Sequence, residues 1–240
     1  MVMKGVLFIR CALSICLISG CELLGVESQA ISAKVQRPGN PKGSIKGISN
    51  SLLKQAQRIE IGEAALLTQA ERLDFVKRMR KEAAVKAFLD VISFAEGSFK
   101  NRPYEHSLRG YLLRYPNVSF VGFEDHPQIV ICSSSLGMTI CSSAAGRYMF
   151  LYKTWKQLAR ILGLKDFSPG NQDLGAIYLL WQHDALDDIL HGRFERAVRK
   201  VCDIWASFPG SSYGQPQKRM KDLKKLFEER LQYYLNGGQL

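Results

Sequence analysis

Glu96 is the side chain whose position in the sequence best suits acid–base chemistry. It follows an apolar segment with helical spacing and precedes Gly97, so it is predicted to lie at a helix C-terminus. The helix macrodipole disfavours negative charge there, and Phe94 and Ala95 supply no opposite charge. Both effects raise the pKa of the carboxyl group and favour the protonated form that a general acid needs. An ordinary exposed Glu is the alternative interpretation, because most acidic side chains are solvated.

Metal and cofactor chemistry find no support in the sequence. The four His residues are not paired at zinc-ligand spacing, and there is no CxxC motif, no HExxH motif and no Walker-type phosphate loop. The sequence therefore predicts neither a metal nor a cofactor. Cys132 and Cys141 could close an eight-residue loop as a disulfide in an oxidising compartment, whereas Cys202 is predicted to pack on an apolar helix face.

The elements that would position Glu96 form a mainly helical body with a small β lobe, placed at residues 83–240. An apolar face from residue 84 to 95 predicts a helix that Gly97 ends. Short β-prone runs at 118–123 and 129–132, among three prolines, indicate the β lobe. Further helices are predicted over 147–162, 171–181, 184–190, 194–205 and 217–234. This pattern is the α+β class, with a cleft between the lobes that could bind a polymer.

Residues 1–21 have the pattern of a secretory signal peptide. The first ten residues carry only basic charges, and residues 11–21 are uncharged, mostly apolar and too short for a comfortable transmembrane helix. Residues 18–21 (ISGC) resemble a bacterial lipobox, which predicts lipidation of Cys21 and an exported, periplasmic protein attached to a membrane. Ordinary cleavage after Ala30, at a small-x-small site, is the alternative.

The remaining N-terminal region is predicted to be a tether followed by helix. Of 240 residues, 33 are Lys or Arg and 22 are Asp or Glu, a net charge of +11 that comes with too much apolar content for intrinsic disorder. Residues 22–50 are a Gly-, Ser- and Pro-rich linker, and residues 31–58 contain six basic residues and no acid. This basic segment could contact anionic lipid or wall polyanions, or could simply be solvated; nucleic acid is not expected for an exported chain. Residues 51–82 predict one or two amphipathic helices that dock on the main domain or on another envelope protein.

Short segments in a fixed order relate residues 83–240 to a known family. Residues 87–98 (AFLDVISFAEGS) resemble the opening of the phage-lambda-type endolysins, which are lysozyme-like lytic transglycosylases. Further collinear segments resemble the same family: 125–127 (DHP), 143–148 (SAAGRY), 162–169 (LGLKDFSP), 204–210 (IWASFPG) and 213–215 (YGQ). The resemblance implies a lysozyme-like fold for essentially all of the main domain.

The resemblance also implies a reaction on peptidoglycan glycan strands. The family cleaves the MurNAc–GlcNAc β-1,4 bond with one Glu, which is Glu96 here, and leaves a 1,6-anhydro sugar without a second carboxylate. Hydrolytic lysozymes instead use two carboxylates. Glu105, Glu124 and Asp125 are the second acids that a muramidase acting on the same bond could use, so hydrolysis is the alternative.

The matched segments suggest substrate-binding residues. Asp125 or His126 could hydrogen-bond to the glycan, or the Asp could stabilise a turn before proline. Tyr148 could stack on a sugar, and Arg147 could pair with a lactyl or peptide carboxylate. Packing in the core, with a surface salt bridge for Arg147, is the alternative for these two residues.

One flexible loop and one departure from the family pattern also bear on substrate binding. Tyr213 and Gln215 lie in a Gly- and Ser-rich loop and are predicted to contact the saccharide. Met149 stands where the family commonly has Gln, which removes a side chain able to hold sugar hydroxyls. Met149 and the altered β lobe motivate a third hypothesis, a peptidoglycan-binding envelope protein without catalytic turnover.

Overall fold

The computed structural model of the chain describes residues 67–98, 108–135 and 138–239. The predicted signal peptide, Cys21, the basic linker, Glu105 and the first part of the 51–82 extension lie outside these ranges. Within them, no helix combines the length and the apolar character needed to cross a membrane.

Helices dominate the part of the chain that the structure describes. The α-helices are α1 Gln69–Met79, α2 Ala83–Ala95, α3 Tyr152–Leu162, α4 Pro169–Gln182, α5 Ala185–Leu190, α6 Phe194–Val201 and α7 Met220–Leu235. A 3-10 helix, Leu108–Leu112, leads into two antiparallel hairpins, β1 Leu113–Arg114 with β2 Val118–Ser119 and β3 Ile131–Ser135 with β4 Met138–Ser142. The arrangement is the predicted helical body with a small β lobe.

Helix α1 is the described part of the predicted amphipathic extension. Its N-terminus carries a capping box, in which the Thr68 hydroxyl accepts from the Glu71 N–H and the Glu71 carboxylate accepts from the Thr68 N–H. Phe75 packs on Trp181 of α4, with ring centroids 4.4 Å apart. The apolar face of α1 is therefore buried against the main domain, and residues 67–82 share its core.

Helix α2 is the central element of that core. Ten of its thirteen residues are buried, and a helix enclosed on nearly all sides must be surrounded by other elements. The Phe88 ring lies 5.7 Å from that of Phe194, 6.1 Å from that of Phe208 and 6.3 Å from that of Phe227. The C-terminal half of the chain therefore packs around α2 and holds this helix in position.

The structure corrects two predicted helix boundaries. Residues 146–149 form a turn rather than the start of a helix, because Gly146 and Met149 both have positive φ and the Met149 N–H donates to the Gly146 carbonyl at 3.1 Å. The Gly146 N–H donates to the Leu113 carbonyl at 2.7 Å, which ties this turn to β1. Helix α3 begins only at Tyr152, and the helix predicted to run from 194 to 205 ends at Val201.

The strands differ from the predicted β-prone runs, because β2 covers only the start of 118–123 and β3 begins within 129–132 but extends to Ser135. In the first hairpin, only two residues on each strand pair. In the second, Cys132 lies directly opposite Cys141, and the two side chains form a disulfide as the sequence predicted. Cys202 is a buried free thiol, also as predicted.

Candidate active site

Glu96 lies at the C-terminus of α2, in a turn that depends on glycine. The Gly97 N–H donates to the Phe94 carbonyl at 3.2 Å, and the Ser98 N–H donates to the Ser93 carbonyl at 3.0 Å. These two bonds are the Schellman motif, which needs the left-handed φ of 75° that Gly97 adopts. The Glu-Gly dipeptide thus ends the helix and sets the direction in which Glu96 leaves it.

Two other segments meet this helix end. A Cβ atom placed on Gly97 would lie 4.0 Å from the side-chain amide of Asn117, in the turn between β1 and β2. The Ser98 hydroxyl donates to the Arg147 carbonyl at 2.5 Å, which brings the 146–149 turn alongside. Glu96 therefore lies where the helical body meets the β lobe.

The environment of Glu96 favours its protonated form. Burial raises the pKa of the carboxyl group, and hydrogen bonds from the Ser207 hydroxyl and N–H, together with the Lys218 ammonium, hold part of that rise back. The Lys218 ammonium stays near the helix end, 5.1 Å from the centroid of the Phe94 ring. A carboxyl group with a raised pKa and a donor on its oxygen is equipped to give up a proton and then carry the negative charge.

Ser207 and Lys218 stand at the two ends of one loop of ten residues. The Lys218 N–H donates to the Ser207 carbonyl at 2.9 Å and closes the base of the loop. The Gln217 side chain braces it, accepting from the Gly210 N–H at 3.0 Å and donating to the Ser211 carbonyl at 2.6 Å. The loop therefore presents both groups to the carboxyl group as a single unit.

Tyr213 and Gln215 lie in this loop, and both are exposed. The Tyr213 hydroxyl donates to the Asp203 carbonyl at 3.0 Å, which holds the ring near the helical body. The predicted loop is thus adjacent to Glu96 and carries exposed polar groups. Direct contact of these two side chains with a glycan stays a prediction.

A buried carboxylate of α2, Asp90, pairs with two guanidinium groups. Arg147 donates to one oxygen; Arg230 of α7 donates to the other, which also accepts from the Tyr234 hydroxyl at 2.8 Å. The Arg147 and Arg230 side chains are only 6% and 2% exposed, and Asp90 is fully enclosed. Because an unpaired buried charge is costly, these three charges must be kept or lost together.

A second buried carboxylate, Asp173 of α4, continues this network. It accepts from the hydroxyls of Tyr111 and Tyr148 at 2.8 and 2.6 Å and from Arg80 at 2.8 Å. Arg147 joins the two carboxylates by donating to the Tyr111 hydroxyl at 2.7 Å. Burial raises the pKa of Tyr111 and of Tyr148, so both hydroxyls keep their protons and act as donors.

The network corrects the predicted roles of Arg147 and Tyr148. Tyr148 has no exposed surface, so its ring is not available to stack on a sugar. The Arg147 guanidinium is engaged by Asp90 and Tyr111, so it does not reach a substrate carboxylate. Both are core residues, the alternative that the sequence left open, although the ion pair of Arg147 is buried rather than superficial.

His126 is also structural, which corrects its predicted contact with substrate. Its Nδ1 accepts from the Gln128 N–H at 3.0 Å, so Nε2 carries the proton and donates to the Phe150 carbonyl at 2.8 Å. Burial lowers the pKa of the imidazole, against the opposing effects of the Phe150 carbonyl and Asp125. Asp125 is exposed and stabilises the turn by accepting from the His126 N–H at 2.7 Å, while its contact with a glycan stays a prediction.

The described candidates for a second acid do not touch Glu96. Glu124 is exposed, with its carboxylate folded over the Gly122 backbone, and Asp125 is held by its own turn and by Gln128. In residues 67–98, 108–135 and 138–239, no three His, Cys, Asp or Glu side chains are grouped so as to hold a metal ion.

Sequence reasoning missed three residues of this site. Ser207 lies within a matched segment but 111 positions from Glu96, and neither it nor Lys218 carries a local signal of that contact. Asp90 did carry a signal in the local sequence, because it is the single acid in the apolar segment 84–95. An acid in such a segment is buried only when it is paired.

Comparison with known proteins finds similarity to phage endolysins. A family model described as Endolysin matches residues 86–233. The endolysin of Escherichia phage lambda is 35% identical over 144 residues, covering 60% of this chain and 89% of that protein, and the endolysin of Escherichia phage P2 is 38% identical over 148 residues, covering 58% and 87%.

Solved structures show the same fold. Bacteriophage lambda lysozyme complexed with a chitohexasaccharide has a TM-score of 0.57 and 34% identity, covering 62% of this chain and 94% of that chain. A second structure of lysozyme from bacteriophage lambda has a TM-score of 0.55 and 31% identity, covering 66% and 97%. The predicted lysozyme-like α+β fold is confirmed.

Proposed function

Because the chain belongs to the endolysin family, whose members degrade peptidoglycan, we propose that it is a lytic transglycosylase with Glu96 as its only acid and base. Its reaction is cleavage of the MurNAc–GlcNAc β-1,4 bond to leave 1,6-anhydro-MurNAc. The observation that carries the proposal is the Glu96 carboxyl group, whose pKa burial raises, which accepts a hydrogen bond from Ser207 and which lies within the electrostatic influence of Lys218 where the two lobes meet.

The proposed reaction begins with transfer of the Glu96 proton to the glycosidic oxygen. The bond from C1 of MurNAc to that oxygen breaks, and positive charge develops at C1. The new Glu96 carboxylate then removes the proton of the MurNAc 6-hydroxyl, whose oxygen bonds to C1. Glu96 regains its proton, no water is consumed, and the released GlcNAc carries a free 4-hydroxyl group.

The surroundings of Glu96 support both halves of this cycle. Burial favours the neutral acid before proton transfer. The Ser207 hydroxyl and the Lys218 ammonium favour the carboxylate after it, because each interacts more strongly with the charged form. The Asp125 carboxylate is held by the His126 N–H and by Gln128, and the Glu124 carboxylate lies over the Gly122 backbone, which favours the mechanism that needs no second acid.

The decisive experiment is product analysis on purified sacculi. The full chain carrying Cys21→Ser, which prevents acylation, is compared with the same chain carrying Glu96→Gln, and the released muropeptides are identified by mass spectrometry. We expect products lighter by one water than the reducing-end species, and a loss of about 10²–10⁴-fold in rate with Glu96→Gln. Glu124→Gln is the matched control, because it neutralises an exposed Glu in the same region and is expected to retain activity.

The products separate the alternatives. Reducing-end muropeptides would show that the chain is a muramidase and that water attacks C1 with the help of a second carboxylate. Binding to sacculi without any released product would support the non-catalytic hypothesis. Either result would refute transglycosylation through Glu96.

We further propose that the chain is exported and anchored through a lipid on Cys21. The supports are the apolar stretch of residues 11–21, the lipobox-like end of that stretch and the basic linker behind it. The test is the mass of the N-terminal peptide of the mature protein from the membrane fraction. An acylated Cys21 is expected, whereas an unmodified N-terminus at Ile31 would show ordinary cleavage after Ala30.

A further inference from the structure

A groove of about 840 Å³ lies at the far side of the domain from Glu96. Its walls come from the end of α1, the start of α2, the first turns of α4 and the C-terminal residues after α7. Lys86, on its wall, precedes Glu96 by ten residues along α2, which separates them by about 15 Å of helix. The groove is therefore distinct from the candidate active site.

The groove is lined by five cationic side chains and by one acidic side chain among the described residues. The cations are Lys77, Arg78, Arg80, Lys81 and Lys86, and the acid is Asp74. This concentration of one sign of charge in a concave surface focuses the electrostatic potential and attracts anions. We call it the basic groove.

Three of the five cations interact with acids of the protein, among them Lys86 with Glu82, but two lysines have no such partner among the described residues. Arg78 pairs with Asp74, and Arg80 pairs with the buried Asp173 at 2.8 Å. No carboxylate of the described residues lies within ion-pair distance of Lys77 or Lys81. Such lysines are free to bind an external anion.

The charged part of the basic groove is not explained by membership of the family. The family match begins at residue 86 and ends at 233. Four of the five cations precede residue 86, and the C-terminal wall, which includes Tyr234 and residues 237–239, follows residue 233. Most of the cationic wall of the groove thus lies outside the segment that the family model matches.

The predicted basic tether also lies outside that segment. Residues 31–58, with six basic residues and no acid, lead into Leu67 and then into α1, whose far end forms the groove. Helix α1 spans only about 16 Å, so the cations at its far end lie close in space to Leu67, the first described residue. The sequence that precedes α1 and the wall of the groove are thus both rich in cations.

We propose that the basic groove binds the phosphate groups of anionic phospholipids and so docks the domain on a negatively charged membrane surface. The sequence favours this occupant, because residues 31–58 add six cations to the same chain, and the choice of a bilayer rests on the lipid anchor proposed above. The proposal does not depend on the reaction that Glu96 catalyses.

The test is a titration of the full chain, carrying Cys21→Ser, with vesicles of equal phosphatidylglycerol and phosphatidylcholine. The groove variant is Lys77→Gln with Lys81→Gln. The matched control is Lys153→Gln with Lys156→Gln, which removes two exposed, unpaired cations from α3 and gives the same net charge. Each cation at a charged bilayer is worth about 5-fold in affinity, so the groove variant should lose about 30-fold and the control less than about 3-fold.

A second measurement removes the contribution of residues 1–21 to bilayer binding. Calorimetric titration with dihexanoyl-phosphatidylglycerol below its micelle concentration presents single head groups, with inorganic phosphate as the comparison. The groove variant should lose head-group binding, and inorganic phosphate should bind more weakly than the lipid. Unchanged melting by circular dichroism verifies that both variants are folded.

Several results would overturn the proposal. Equal losses in the groove variant and the control would show a general effect of net charge. Unchanged binding of both vesicles and soluble head groups by the groove variant would show that the groove is not used. Inorganic phosphate binding as tightly as the lipid would assign a site for free phosphate, and a loss confined to purified sacculi would assign the groove to a wall polymer.

Discussion

Replacing Asp90 by Asn tests whether the buried ion network holds the domain together. The substitution keeps the size of the side chain but removes the charge that faces both Arg147 and Arg230. Removing one partner of a buried ion pair costs about 3–5 kcal/mol, and here one carboxylate serves two enclosed cations, so we expect the upper end, about 5 kcal/mol. For a domain of this size, that loss lowers Tm by roughly 10–20 °C.

The assay is urea denaturation at low temperature, followed by circular dichroism, with thermal melting as a second reading. Arg230→Met combined with Asp90→Asn removes one of the two stranded cations, so the double variant should be less destabilised than the sum of the single variants. Asp222→Asn is the control, because Asp222 pairs with Arg219 at the surface and its loss should leave Tm unchanged. A loss below about 1 kcal/mol for Asp90→Asn would refute the reasoning, since it would mean that the two cations are solvated or otherwise paired.

Three further predictions concern the site and its supports. Ser207→Ala removes the hydroxyl that lowers the Glu96 pKa, so this pKa rises and the alkaline limb of the pH–rate profile moves to higher pH. Ser207→Thr is the control and should leave the limb in place. A shift of the limb to lower pH in the Ala variant would contradict this prediction. Gly97→Ala forces a side chain into left-handed backbone and should cost about 1–2 kcal/mol in urea denaturation, with a cost near zero speaking against the Schellman turn. Replacing Cys132 and Cys141 by Ser opens a short loop and should cost about 2–3 kcal/mol in urea denaturation relative to the oxidised parent chain. The reduced parent chain is the control, and its stability should match that of the variant.

Local patterns in the sequence were sufficient to predict the helix that carries Glu96. The apolar spacing from residue 84 to 95 and the following Gly97 predict both α2 and its end, because amphipathic spacing and a left-handed cap are local properties. The family resemblance and the α+β class were predicted as well, and both are confirmed. The assignment of Glu96 to catalysis stays a prediction.

Long-range contacts explain why some roles and helix boundaries were predicted wrongly from the sequence. Arg147 was expected to pair with a substrate carboxylate because it lies in a segment matched to the family, whereas Asp90, 57 residues earlier, pairs with it in the core. The turn at 146–149 was wrongly predicted as the start of a helix. Its backbone hydrogen bond to Leu113 of β1 is a long-range contact, which the local sequence does not indicate. His126 is enclosed by partners on both ring nitrogens, one of which, the Phe150 carbonyl, lies 24 residues away.

The loop between Ser207 and Lys218 has a consequence for how such enzymes diverge. The two groups that lower the pKa of Glu96 lie at the base of the loop, which one backbone hydrogen bond closes, while the ten residues between them are largely exposed. Exposed loop tips accept substitution and insertion readily. Mutations at the tip can therefore change which ligands the loop surface binds without changing the pKa of Glu96. Ligand specificity and the pKa of the acid can thus evolve independently within a single loop.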